Sequence, residues 1–162
     1  MFLLALEGLY TMKNLLKFTV ILMDPPWRDT GVNLKYPLMK SKEWMDLIDF
    51  DLLQDSGFVL IWVANKKLED AINFMRNKGY KYETIATWVK VDKFGLKQRN
   101  MPGGAMWHGK EDCVVFTKVK STKFQGFADM RKTVNVIHAP LIGMTSTKPF
   151  QFYESIEQMV KD

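Results

Sequence analysis

Lys17-Phe-Thr-Val-Ile-Leu-Met23 is a continuous apolar run that ends at the turn signal Asp24-Pro25-Pro26. A run of this kind is typical of a strand buried on both faces, and such strands belong mainly to parallel sheets. A second run, Gly57-Phe-Val-Leu-Ile-Trp-Val63, has the same character. The two runs predict buried strands of an α/β sheet.

Helical patterns alternate with strands along the chain. Residues 66–78 space Leu68, Ile72 and Met75 on one helical face and stop at Gly79, a residue type favoured just after a helix. The other predicted elements are a short helix with Ser41 as its N-cap, strands at about residues 82–91, 113–119 and 133–138, and a helix over 149–160 with Pro149 at its first position. This order predicts an open, doubly wound α/β sheet in a single domain over residues 1–162.

Composition excludes several classes of protein. The chain has 162 residues, of which 47% are hydrophobic and 25% charged, as is ordinary for one globular domain. No run approaches the roughly 18 apolar residues that cross a bilayer, and the first residues lack the basic region of a signal peptide, so a soluble, intracellular protein with no membrane partner is expected. The single Cys113 excludes an internal disulfide and, with only His108 and His138 beside it, argues against a metal site made by this chain alone.

The net charge of +5 comes from one segment of the chain. Residues 90–132 contain ten Lys or Arg and four Asp or Glu, so this window carries +6. Aromatic and methionine side chains are interleaved with these charges, among them Phe94, Met106 and Trp107. Such a segment could supply phosphate contacts and base stacking, which favours a nucleic-acid partner. A solvated loop whose lysines aid solubility explains the charge equally well.

The tetrapeptide Asp24-Pro25-Pro26-Trp27 carries the candidate chemistry, because ligands of such sheets bind beyond the carboxyl ends of the strands. Consecutive prolines fix the backbone, so the Asp24 carboxylate and the Pro25 carbonyl are two rigid acceptors. Two acceptors suit the two N–H donors of an exocyclic base amine, and Trp27 offers a face on which the base can stack. These features favour methyl transfer to an amino nitrogen. The alternative is a turn that merely ends the strand.

The tetrapeptide is similar to the catalytic motif of amino methyltransferases that depend on S-adenosylmethionine, and the whole chain resembles one branch, the eukaryotic adenine N6-methyltransferases of the MT-A70 family. The similar stretches follow the family's order over about residues 15–160, and beyond the tetrapeptide they are Lys17-Phe-Thr-Val-Ile-Leu-Met23, Tyr36-Pro-Leu-Met39, Gly57-Phe-Val-Leu-Ile-Trp-Val63, Trp88-Val-Lys90, His108-Gly-Lys-Glu111 and Thr145-Ser-Thr-Lys-Pro149. The resemblance implies a Rossmann-like sheet with a circularly permuted order of motifs. It also implies S-adenosylmethionine as cofactor without a metal, RNA or DNA as substrate, a heterodimer with a homologous methyltransferase-like subunit, and a nuclear location.

Residue roles are implied by the resemblance alone. Asp24 and Pro25 accept from the adenine amine within a catalytic motif completed by Pro26 and Trp27, and Asp24 also lies near the methionine end of the cofactor. Lys148 binds the cofactor or the acceptor strand; without the resemblance, a solvated lysine is an equally good interpretation. The residues implied to contact substrate border the base pocket or belong to the interface loop, which we define as residues 92–111, and they are Tyr36, Lys97, Arg99, His108, Lys110 and Glu111. Without the resemblance, Tyr36 is interpreted as a core aromatic, His108 as a surface residue, and Glu111 as the partner of a nearby lysine.

Two departures from the family pattern concern the cofactor site. Where the family has an acid in a Cys-Asp-Ile-like stretch, the corresponding Leu4-Ala-Leu-Glu-Gly8 offers only Glu7. The family continues after its last helix into a strand that ends in a Phe-x-Gly-Arg-like turn, whereas this sequence ends at Asp162, so a sheet without that strand is expected. Two functions therefore stay open: methylation of adenine, and a nucleic-acid-binding or scaffolding subunit without catalysis. Cytosine N4 methylation fits less well.

Overall fold

The computed structural model describes residues 18–27, 38–50, 53–100, 105–118, 133–141 and 147–159, and within them five strands form one sheet. The strands are β1 (Phe18–Met23), β2 (Leu53–Val63), β3 (Tyr80–Val91), β4 (Lys110–Lys118) and β5 (Val136–Pro140). The helices are α1 (Ser41–Met45), α2 (Leu68–Asn77), which follows a 3-10 turn over Asn65–Lys67, and α3 (Phe150–Met159). Helix and strand alternate as predicted from β1 to β3, but β3, β4 and β5 follow one another with no helix between them in the described residues. These three strands begin two or three residues away from their predicted starts.

The sheet has the strand order β1-β2-β4-β3-β5 and is mixed. β1 runs parallel to β2, and β3 runs parallel to β5, whereas β4 is antiparallel to both of its neighbours. The parallel arrangement that the apolar runs predict therefore holds for four strands. β4 is the exception because it returns directly from β3, and two antiparallel strands need no helical crossover between them. As a result, four strands end and β4 begins at the same edge of the sheet.

Side chains on the two faces of the sheet form two separate cores. On one face, Val59, Ile61 and Val63 of β2 pack with residues of α1 and α2. On the other face, Phe58 and Trp62 pack with Phe152 of α3 and with residues of β3, β4 and β5, and we call this side the α3 face. Strict alternation along β2 buries both of its faces, as its apolar sequence predicts.

Several local predictions need correction. β1 is half-buried rather than buried on both faces, because it lies at one edge of the described sheet. Lys40, not Ser41, is the N-cap of α1, and its backbone N–H donates to Glu43 Oε2 at 2.8 Å. Pro149 immediately precedes α3 instead of opening it. Gly79 ends α2 with a φ of 84°, the left-handed conformation that its position predicts.

Candidate active site

The candidate site lies at the edge of the sheet where β1, β2 and β3 end and β4 begins. Residues two apart in a strand share a face. Three charged side chains continue the rows of apolar residues that form the core on the α3 face, namely Asp24, Lys90 and Glu111. Lys148 reaches the same edge from the residues just before α3. The fold thus brings together charged residues from four distant parts of the sequence.

The backbone after β1 forms the rigid turn that its two prolines predict. The Trp27 backbone N–H donates to the Pro25 carbonyl at 2.8 Å, and the Met39 backbone N–H donates to the Pro26 carbonyl at 2.8 Å. The first bond lies within the turn, and the second connects the turn to the segment before α1. The Pro25 carbonyl keeps one lone pair for a further donor, since a carbonyl oxygen accepts two hydrogen bonds.

Trp27 is a core residue in this structure, which corrects the expectation that its ring offers a face for base stacking. The side chain is 7% exposed, and its ring meets that of Trp44 edge-on with centroids 4.8 Å apart. Its Nε1 donates to the backbone carbonyl of Trp62 at 2.9 Å. Apolar packing against α1 therefore uses the ring, and the indole N–H ties the turn after β1 to the end of β2.

Four charged side chains form a chain of alternating sign, which we call the ion chain. Lys90 Nζ lies 2.6 Å from Glu111 Oε1, Lys148 Nζ lies 2.9 Å from Glu111 Oε2, and Lys148 Nζ also lies 3.1 Å from Asp24 Oδ2. The exposed fractions of these side chains are 8% for Lys90, 26% for Glu111, 10% for Lys148 and 46% for Asp24. The two lysines are thus enclosed, and Asp24 is the end of the chain that a ligand can reach.

Electrostatics favour the charged forms in the middle of the ion chain. Burial alone would lower the pKa of Lys148, but the adjacent Asp24 and Glu111 carboxylates outweigh it and raise that pKa above its ordinary value. Burial alone would raise the pKa of Glu111, yet Lys148 and Lys90 together lower it. Burial does raise the pKa of Asp24, and Lys148 only partly offsets this effect. Asp24 is therefore the carboxylate of the chain that holds a proton most readily.

Aromatic rings lie under both lysines. Lys148 Nζ is 5.1 Å from the centre of the Trp62 ring, and Trp62 packs on Phe152 with centroids 4.5 Å apart. Lys90 Nζ is 5.2 Å from the centre of the Trp88 ring. Cation–π contacts add to the ion pairs at such distances. Among the residues that the structure describes, the buried Trp62 Nε1 has no acceptor.

Three interface-loop residues that are implied to contact substrate lie on exposed surface. Lys97 and Arg99 are exposed, on a segment that folds back so that the Arg99 backbone N–H donates to the Lys90 carbonyl at 2.7 Å. His108 is exposed, with its Nδ1 3.2 Å from Asn65 Nδ2. These three residues lie outside the ion chain, on surface that a large ligand can reach.

Lys110 lies on the opposite face of the sheet from Glu111, because adjacent residues of a strand point to opposite sides. Lys110 pairs with the buried Asp112, whose other oxygen accepts from Thr87 Oγ1 at 2.8 Å. The predicted grouping of Lys110 with Glu111 in one loop is therefore wrong: both residues belong to β4. Tyr36 lies outside the described residues, as do the first two residues of the stretch Thr145-Ser-Thr-Lys-Pro149 that resembles the family.

Lys90 and Trp62 are site residues that the sequence analysis did not assign. Lys90 is the second-last residue of β3, and alternation from Trp88 would have placed it on the α3 face. Its partner Glu111 belongs to β4. Predicting this ion pair would have required the register between β3 and β4, in which Trp88 stands opposite Glu111.

The arrangement can hold a ligand that carries both signs of charge. Asp24 offers an accessible carboxylate beside the enclosed Lys148 ammonium, so an amino acid zwitterion could donate to the first and accept from the second. A neutral amine could instead donate to Asp24 and to the free lone pair of the Pro25 carbonyl. Within the described residues no group of three metal-ligating side chains is found, and no helix is long and apolar enough to cross a membrane.

Comparison with known proteins adds a family match and several relatives. The family model MT-A70 matches residues 18–162. The chain is 31% identical to the N(6)-adenosine-methyltransferase MT-A70-like protein of Drosophila melanogaster over 88% of this chain and 22% of that protein. It is 30% identical to the N(6)-adenosine-methyltransferase catalytic subunit METTL3 of Homo sapiens over 88% of this chain and 24% of that protein.

A bacterial relative matches over most of its own length. The Type II methyltransferase M.MunI of Mycoplasma sp is 25% identical over 88% of this chain and 67% of that protein. In contrast, the chain spans less than a quarter of the length of the Drosophila and human relatives. The similarity therefore concerns one segment of those two proteins.

Proposed function

The chain belongs to the MT-A70 family, and from this premise we propose that it transfers a methyl group from S-adenosylmethionine to the N6 atom of adenine in a nucleic acid. The observation that carries the proposal is the position of Asp24: its carboxylate stands 46% exposed at the end of β1, fixed by a proline turn on one side and by Lys148 at 3.1 Å on the other. A fixed, accessible acceptor at a strand end is what an amine to be methylated requires.

Orientation of the amine is the task of Asp24 and Pro25. The exocyclic amine of adenine has two N–H donors, and we assign one to the Asp24 carboxylate and the other to the remaining lone pair of the Pro25 carbonyl. With both hydrogens held, the nitrogen lone pair is directed away from the turn. Such positioning supplies a large part of the acceleration in a group transfer.

S-adenosylmethionine, when bound, supplies an electrophilic methyl group on sulfur. As the new N–C bond forms and the S–C bond breaks, the amine must release one proton. In the proposed arrangement, the N–H that loses the proton donates to the Asp24 carboxylate. Burial raises the pKa of this carboxyl above its ordinary value, which favours Asp24 as the group beside the departing proton.

The residues present fit the charged end of the cofactor. The methionine part of S-adenosylmethionine is a zwitterion, which suits a carboxylate beside an enclosed ammonium, as Asp24 and Lys148 provide. We assign Lys148 and Asp24 to cofactor binding and leave the adenosine part of the cofactor unassigned.

The interface loop is the proposed surface for nucleic acid and for a partner subunit. Lys97, Arg99 and His108 are exposed there and can contact phosphate or base edges. Four large apolar side chains of the loop are also exposed, namely Phe94, Leu96, Met106 and Trp107. Exposed apolar groups of this size mark interaction sites. The name of the human relative, a catalytic subunit, supports a partner subunit. That this partner is homologous and that the protein is nuclear are proposed on the family resemblance.

Methyl transfer to defined oligonucleotides tests the proposal. The chain, purified alone and with a homologous MT-A70-family partner, is given S-adenosylmethionine with a tritiated methyl group and single-stranded RNA or DNA, with and without adenine. We expect incorporation only where adenine is present, and a loss of more than about a hundredfold in Asp24→Ala. Melting curves of both proteins control for folding. Absence of incorporation with either nucleic acid, together with retained binding, would instead identify a non-catalytic subunit.

A further inference from the structure

We propose that Lys90 is a positioning residue for the site: it holds one oxygen of Glu111 so that the other oxygen keeps the Lys148 ammonium beside Asp24. This inference deepens the proposed function and rests on it for its catalytic consequence. Its structural part, the transfer of position from Lys90 through Glu111 to Lys148, stands on contacts that can be measured independently.

The backbone of Lys90 is fixed on both sides. Its N–H donates to the Gly109 carbonyl at 2.8 Å, and its own carbonyl accepts from the Arg99 N–H at 2.7 Å. In the sheet, Lys90 also stands opposite Ala139 of β5. The main chain therefore cannot shift without breaking the end of β3, and the side chain starts from a rigid base.

The Lys90 side chain is enclosed and committed to Glu111. It is 8% exposed, packs along Trp88 and places Nζ 2.6 Å from Glu111 Oε1. An ammonium so far removed from water needs a close counter-ion, and Glu111 provides it. By contrast, the Asp24 side chain at the other end of the ion chain is 46% exposed. Ligand access is therefore at Asp24, and Lys90 influences it only through the groups between them.

The order of charges gives Lys90 its effect. Glu111 carries one negative charge and contacts two ammonium groups through separate oxygens. Lys148 in turn contacts two carboxylates. Without Lys90 the remaining three groups sum to one negative charge, and Glu111 is free to rotate about its side-chain bonds. Lys148 then pairs with either Glu111 or Asp24 instead of bridging both, and the Asp24 side chain loses its fixed orientation.

The kinetic test asks whether Lys90 acts through Glu111. Methyl transfer is measured for the parent and for Lys90→Met, Lys90→Arg, Glu111→Gln and the double variant Lys90→Met/Glu111→Gln, with Lys66→Met as the matched control. Lys66 is an exposed lysine in the 3-10 turn between β2 and α2, outside the ion chain and the interface loop, and its replacement removes the same charge.

We expect kcat to fall about tenfold in Lys90→Met, because charged residues in contact with one another are energetically coupled. In Lys90→Arg, which keeps the positive charge, kcat should stay within about threefold of the parent. In the Glu111→Gln background, Lys90→Met should change kcat by less than about twofold, and Lys66→Met should leave the parent value unchanged. Independent effects that multiply in the double variant would overturn the proposal.

A second measurement does not depend on activity. In samples with labelled carboxyl carbon and lysine nitrogen, NMR titration should show the Glu111 midpoint moving upward in Lys90→Met and staying in place in Lys66→Met. The Lys148 ammonium signal, slow to exchange in the parent, should disappear only in the first variant. If the parent transfers no methyl group, the proposed function fails while this titration still decides the positioning role. An unchanged Glu111 midpoint in a folded Lys90→Met protein would refute that role.

Discussion

Replacing Lys148 with methionine tests the electrostatic design of the site most sharply. The ammonium lies 3.1 Å from Asp24 Oδ2 and 2.9 Å from Glu111 Oε2, and its side chain is only 10% exposed. Methionine preserves much of the apolar stem that packs over Trp62, so the change removes mainly the charge. Two neighbouring carboxylates then remain with Lys90 as their only counter-ion in the ion chain.

The size of the effect follows from burial. Removing one partner of a buried ion pair costs about 3–5 kcal/mol. Water at the half-exposed Asp24 replaces part of the missing interaction, so we expect the lower end, about 3 kcal/mol. In a domain of this length about 1 kcal/mol corresponds to about 2–4 °C in Tm, which predicts a fall of about 6–12 °C near neutral pH.

The pH dependence separates charge from packing. In the parent, the pKa of Lys148 is raised in the folded state, so its ion pairs contribute fully to folding stability below the ordinary pKa of 10.5. This stabilisation is lost as the pH rises through the folded pKa. The pKa of Glu111 is lowered in the folded state, so its ion pairs contribute fully to folding stability above the ordinary pKa of 4.5. This stabilisation is lost as the pH falls through the folded pKa. In Lys148→Met both carboxylates take up protons more readily in the folded state. The stability deficit of the variant relative to the parent therefore shrinks as the pH is lowered from neutral toward the folded pKa values of these two carboxyls.

Thermal unfolding of the purified chain across this pH range is the assay, and Lys66→Met, which removes an exposed lysine beside α2, is the control. We expect the control to melt within about 1 °C of the parent at every pH. A Lys148→Met protein that melts as the parent does near neutral pH would show that the ammonium does not stabilise the two carboxylates. A deficit that stays constant with pH would assign the destabilisation to packing.

Two further predictions concern the surface loop and the end of α2. Charge reversal in Lys97→Glu/Arg99→Glu should weaken binding to RNA or DNA and lower the slope of log K against log salt by about 0.7–0.9 for each phosphate that the protein no longer neutralises, whereas reversing Lys66 and Arg76 should not. Fluorescence anisotropy across a salt series measures the slope, and an unchanged slope would assign the loop charge to a protein partner. Gly79→Ala should cost about 1–2 kcal/mol in urea unfolding, because φ is 84° there, and an unchanged midpoint would contradict the strained conformation.

The sequence predicted the parts of the fold that depend on local pattern. The apolar runs that became β1 and β2 identified parallel neighbours, and the turn after β1 placed Asp24 at a strand end, where the site lies. Gly79 marked the end of α2 because a positive φ penalises other residues. These signals are contained in a few consecutive residues, so no knowledge of distant contacts was needed.

Features that depend on tertiary packing were not predictable in the same way. The tetrapeptide drew attention to the Trp27 ring as a stacking face, yet contact with Trp44 buries it, and nothing near Trp27 in the sequence indicates that contact. Lys90 belongs to the basic window of residues 90–132, for which the sequence left open phosphate contacts and a solvated loop, and neither interpretation predicts a buried ion pair. Its burial depends on Glu111, which becomes its neighbour only through the pairing of β3 with β4. The antiparallel direction of β4 is the cause of both the pairing and the ion chain.

The position of the transferred methyl group tests the central claim most directly. With a donor that carries a trideuterated methyl group, the product nucleic acid is digested to nucleosides and compared by mass spectrometry with N6-methyladenosine and N4-methylcytidine standards, with their deoxy forms for DNA. We predict that the label appears on adenine N6 with the parent protein and falls more than about a hundredfold with Asp24→Asn, which keeps the shape of the side chain and removes its charge. Label on cytosine, or incorporation by a folded Asp24→Asn protein within about tenfold of the parent, would contradict the assignment of Asp24 as the acceptor that orients the adenine amine.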